Sequence, residues 1–127
     1  MMVWHEALRA VLNEYRNEAV VFGEHDCCQF VATYVEAVSG VDYSERFDYV
    51  DQAGADALIA EHGGIKGLIG SCLGMSHMPP SEGDVVVADA GPFHTAGIFN
   101  GEYVWGLHPE QGLIRIKSRA VIAAWSV

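Results

Sequence analysis

Apolar residues recur at three- and four-residue steps near the start of the chain: Trp4, Ala7, Leu8, Val11, Leu12 and Tyr15. That spacing predicts a helix over residues 3–17 with one buried face. Gly23 interrupts the pattern. A second stripe, Cys27, Phe30, Val31, Tyr34 and Val38, predicts a helix that Gly40 ends. Residues 41–50 read as a connection. A third helix follows Asp51, with Ala55, Leu58 and Ile59 inward, as far as Gly63-Gly64, and a short one covers Ile65 to Leu73. Met75 to Gly83, with Pro79-Pro80, is a loop.

The period then changes from helix to strand. Asp84-Val85-Val86-Val87-Ala88 is a continuous apolar run of the buried-strand kind. Residues 95–99 and 102–105 flank Asn100-Gly101, the strongest short hairpin signal. Leu113 to Ile116 is a fourth strand, and Ala120 to Trp125 reads as a short terminal helix or turn. Helices first and strands second indicate an α+β fold, with N-terminal helices packed on a C-terminal antiparallel sheet. The 127 residues form one domain, with no repeat and no linker.

Half of the residues are hydrophobic, so the chain can build a core. Seven basic against seventeen acidic residues give a net charge of −10. That balance argues against nucleic acid and anionic membranes as partners, and no segment is long enough for membrane insertion. The N-terminus has neither a basic region nor an apolar signal core, so synthesis in the cytoplasm without a signal peptide is expected. Three cysteines, two adjacent, make no disulfide framework. No Cys-x-x-Cys pair, His-x-x-x-His pair or glycine-rich phosphate loop is present, and neither a metal nor a cofactor is expected.

The chemistry concentrates in Gly23-Glu24-His25-Asp26-Cys27-Cys28-Gln29. Asp26 is a good N-cap, which puts Cys27 at the first helical position. Free backbone N–H groups and the helix dipole there favour a thiolate. The competing reading is an ordinary buried cysteine. Cys28 falls about 100° further round, with Ala32 and Val35, and reads as packing. Cys72 also reads as core. His25 either fixes the turn or lines the site.

The order of motifs resembles the NlpC/P60 cysteine peptidases, a papain-like superfamily. Asp26-Cys27-Cys28-Gln29-Phe30-Val31 corresponds to their helix start, Gly83-Asp84-Val85-Val86-Val87 to their Gly-Asp strand, and His94-Thr95-Ala96-Gly97-Ile98-Phe99-Asn100-Gly101 to their His-bearing strand pair. The resemblance covers residues 20–107. The N-terminal helix and the ending Ala123-Ala124-Trp125-Ser126-Val127 resemble a phage-encoded branch, DUF6950.

The resemblance implies a hydrolase in which Cys27 attacks an amide of a cell-wall peptide, His94 moves the proton and His108 orients the imidazole, through a thioester intermediate. It also implies a phage tail as the vehicle, with tail-tip proteins as partners and peptidoglycan peptide as substrate. Aligning Gly97-Ile98 with the family's Gly-Ile places Thr95, not His94, at the histidine position. A local bulge would be needed to restore His94. His108 is one residue late by the same count. The rival reading is a tail-tip module of the same fold without turnover. It would hold partners through exposed apolar residues, for which Trp4, Phe47, Tyr49 and Trp125 are the candidates.

Overall fold

The computed structural model describes residues 1–127. Four helices precede a five-stranded antiparallel sheet. The helices are α1 (Trp4–Tyr15), α2 (Cys27–Ser39), α3 (Gln52–Glu61) and α4 (Ile65–Leu73). The strands are β1 (Val85–Asp89), β2 (His94–Phe99), β3 (Tyr103–His108), β4 (Gly112–Lys117) and β5 (Val121–Trp125). The α+β expectation therefore holds, and the helices lie within one or two residues of their expected limits.

The centre of the molecule is α2. It packs on α1 and against β2 and β3. Phe30, Val31 and Tyr34 are buried on one side, and Cys28, Ala32 and Val35 on another. A helix apolar on two sides must be covered on two sides. The ends follow local chemistry. Asp26 caps the start, and Gly40 closes the end with φ of 79° and its N–H on the Glu36 carbonyl. The Asp51 carboxylate caps α3 in the same way, accepting from the Gly54 N–H at 2.8 Å. Tyr34, deep in the core, donates its hydroxyl to the Gly83 carbonyl at 2.5 Å and ties α2 to the approach to β1.

The sheet order is β4-β3-β2-β1-β5. The expected terminal helix or turn is instead β5, paired with β1 from Val85↔Trp125 to Ala88↔Val121. The reason lies in β1. Val85 to Ala88 are buried on both faces, which makes β1 a central strand that needs a neighbour on each side. β2 supplies one neighbour and the chain end supplies the other. Ala123 and Trp125 then point toward the helices, Val121 and Ala124 pack on the other face, and the Trp125 indole donates to the Gly74 carbonyl at 3.0 Å. The face of β1 turned from the helices forms a smaller core with Val104, Ile116 and Ala124.

The aromatic residues expected to be exposed are not free for partners. Phe47, Tyr49 and Trp125 are buried, and Trp4 is half-buried. The connection after α2 runs along that helix and turns Phe47 and Tyr49 inward, while most of its other residues stay exposed. Gln29 donates there to the Ser44 and Phe47 carbonyls, each at 3.4 Å. No helix is long and apolar enough to cross a membrane.

Candidate active site

Cys27 is placed by the short loop that precedes α2. Gly23 has φ of +91°, and a β-carbon there would collide with the Tyr49 carbonyl oxygen. Only glycine lets the loop turn this closely against the 47–49 segment. The Gly23 N–H donates to one Asp26 carboxylate oxygen at 2.7 Å, and the Gln29 N–H to the other at 2.9 Å. Asp26 is only 2% exposed. A buried carboxylate needs such donors, since leaving it unpaired would cost several kilocalories per mole. One side chain thus fastens the loop to the helix start and fixes Cys27 as the first helical residue. The Cys27 N–H has no intrahelical acceptor at that position.

Cys27 is half-buried and opens into a cavity of about 420 Å³. Val20 and Phe22 wall it from the loop, Ala55 and Ile59 from α3, and Ile65 from α4. This explains why Ile59, expected inward, is only half-buried: its inner side faces the cavity. Phe93, His94, Thr95, Leu107 and Pro109 close the opposite side. The lining is mainly apolar, with Asp56 and Gln52 at its polar edge.

The Cys27 thiol is held below the ordinary thiol range, foremost by hydrogen bonding from the Cys28 thiol. Burial and the Asp26 charge act against this, while the Ala96 backbone and the Thr95 hydroxyl assist it. Cys28 moves the opposite way, pushed well up by its bond to Cys27 and by burial. Within the pair, the negative charge is therefore favoured on Cys27 over Cys28. The Tyr49 phenol is also pushed up, first by burial and then by negative charge on the neighbouring cysteine pair and Asp26. It stays neutral and serves as a donor.

The imidazole side is built differently. The β1–β2 ladder runs without a break from Asp89↔His94 to Val85↔Ile98, so no bulge shifts the alternation. Thr95, 1% exposed, faces Cys27, and His94 starts the strand on the exposed side. His94 still borders the cavity, beside Phe93 and Thr95. The structure thus brings Cys27 and His94 to one cavity and leaves His108 outside its lining. The His108 Nδ1 accepts the backbone N–H groups of Glu110 and Gln111 at 3.0 and 3.2 Å, and its ring packs against Phe93 at 5.5 Å between centroids. His25 packs edge-on against Tyr15 at 5.2 Å and does not line the cavity.

Sequence reading missed Tyr49 as a wall of the site and treated it as a surface anchor. The signal that could have found it is Gly23, which demands a close backbone neighbour. His, Cys, Asp and Glu side chains nowhere gather in threes that could hold a metal ion.

The family model DUF6950, a domain of unknown function, matches residues 1–127. The chain belongs to the DUF6950 family. The match runs through α1, the Cys27 loop and β5 alike, so helix start, cavity and C-terminal strand all lie within the DUF6950 domain. No curated protein matches the chain.

Proposed function

We propose that this DUF6950 protein is a cysteine hydrolase of the NlpC/P60 kind, carried by a phage or prophage tail and acting on amide bonds of peptidoglycan peptides. The observation that carries this reading is the thiol itself. Cys27 stands at a helix N-terminus, favours its thiolate form and opens into a cavity large enough for an amino-acid residue and its neighbour. In the reaction the Cys27 sulfur attacks the carbonyl carbon of the amide. The oxyanion that forms takes a hydrogen bond from the Cys27 N–H. His94, from the cavity wall, gives the proton that the leaving amine needs. Water then hydrolyses the thioester, with His94 receiving its proton, and the free thiolate returns.

A second reading rests on a specific observation of its own. Thr95, not His94, faces Cys27 along an unbroken strand, which fits a tail-tip module of the same fold without turnover.

The test is incubation of the purified protein with disaccharide-peptide fragments of cell wall, followed by mass analysis of the products. The hydrolase reading expects new peptide ends and their loss in Cys27→Ala. Cleavage that persists in Cys27→Ala would remove the mechanism, and no cleavage by the intact protein would favour the module without turnover.

A further inference from the structure

The walls of the Cys27 cavity are unevenly buried. Ile65 and Leu107 are sunk in the core, whereas Val20, Phe22, Ile59 and Phe93 are only half-buried although all are apolar. All four border the cavity. Apolar surface that faces water favours any apolar group that covers it. The walls are also fixed in advance. Two backbone hydrogen bonds between Val21 and His25, at 3.0 and 2.8 Å, pin the turn that carries Phe22. Phe93 is held by the His108 ring. A preformed apolar pocket binds well because little ordering accompanies binding.

Charge narrows the choice of occupant. No lysine or arginine lines the cavity, and His94 is the one lining residue able to carry a positive charge. Against it stand Asp26, beside Cys27, and Asp56 at the polar edge. A thiolate at Cys27 adds a third negative charge. A carboxylate entering this space would leave water and meet like charges. An ammonium group has only the exposed Asp56 to pair with, because Asp26 is buried behind its Gly23 and Gln29 N–H donors. Exposed pairs of that kind contribute little. A neutral apolar group meets neither difficulty.

We propose that this cavity is a selectivity pocket for an uncharged, apolar group carried beside the carbonyl that Cys27 attacks, and that it turns carboxylates away from that position. The proposal rests on the hydrolase reading for the carbonyl, whereas the pocket's preference can be read at the thiol without turnover.

The test uses the intact protein and three methanethiosulfonates: butyl, trimethylammonioethyl and carboxyethyl. Each transfers its alkylthio group to a thiolate, forming a disulfide and releasing methanesulfinate. The three thus differ only in the group brought to the cavity. Rates at Cys27 are followed by peptide mass mapping and divided by the rates with free β-mercaptoethanol. The butyl reagent should be fastest and the carboxyethyl reagent slowest, with about tenfold between them, the effect of covering two methylene groups. Ile59→Ser should slow the butyl reagent severalfold. Asp56→Asn should speed the carboxyethyl reagent and leave the butyl rate unchanged. Asp56 is exposed on α3, so its variant serves where Ile59→Ser fails to fold. Equal normalised rates would overturn the proposal, as would the trimethylammonioethyl reagent being fastest or a preference that survives both substitutions. Selective labelling without cleavage of cell-wall fragments would retain the pocket and reject the hydrolase. Cleavage with unselective labelling would do the reverse.

Discussion

The two sides of the cleft are built on different principles. The thiol side is local. Gly23, Asp26, Cys27 and Gln29 lie within seven residues, and one buried carboxylate joins them by two hydrogen bonds. The imidazole side is assembled from strand ends. His94 starts β2, and His108 closes the turn between β3 and β4. A nucleophile can thus be specified by a capping motif, whereas the groups around it depend on where strands begin and end. The comparison assigns distinct failures to the two sides.

The largest effect is expected for His94. If it carries the proton from the cavity wall, His94→Ala should lower the cleavage rate about 10²- to 10⁴-fold with the fold unchanged. His94 is exposed at a strand start, so stability measured by urea denaturation should hardly move. An unchanged rate would leave Cys27 without an imidazole and transfer the catalytic burden wholly to the thiol side.

Asp26→Ala should damage the opposite side through structure. The variant loses a helix cap and strands the Gly23 and Gln29 N–H groups, which costs about 2–4 kcal/mol in urea denaturation. Cys27 alkylation should change with it, because the loop that places the thiol is released. Full stability in this variant would mean that tertiary packing, not the cap, positions Cys27.

A smaller effect is expected for Thr95→Val, which keeps volume and removes the hydroxyl that favours the Cys27 thiolate. The Cys27 alkylation rate at neutral pH should fall by about threefold to tenfold. The smallest effect is expected for His108→Ala. Its imidazole accepts two exposed backbone N–H groups and makes no hydrogen bond to His94. The variant should cost about 0.5–1 kcal/mol in denaturation, with cleavage largely retained.

The same division explains what could be read from the sequence. The helix limits, the Asp26 cap, the Gly40 stop and the Asn100-Gly101 hairpin are local signals, and each appears where expected. The offset of His94 was also legible, because strand alternation fixes which of two neighbours faces inward. The role of β5 was not legible. Val121 to Trp125 contains two alanines and a short run that fits either helix or strand, and the unfilled edge of β1 decides between them. Nor was the cavity legible. Ala55, Ile59 and Ile65 have the spacing of ordinary core residues, and only the tertiary arrangement of loop, helices and strand ends leaves a space for them to line. Tyr49 was misplaced for a related reason: its own polar connection gives no sign of folding inward, and the only hint lies far upstream at Gly23.

The central claim is that Cys27, alone among the three cysteines, is poised as a nucleophile. It is tested most directly by the pH dependence of alkylation, followed by peptide mass mapping on the folded protein. A depressed thiol ionises at lower pH, so Cys27 labelling should reach its plateau below the range of a free thiol, about 8.5. Cys28, pushed the other way and buried, should remain unlabelled through that range and require more alkaline conditions. Cys27 labelling that follows an ordinary thiol profile, or labelling of Cys28 ahead of Cys27, would contradict the account.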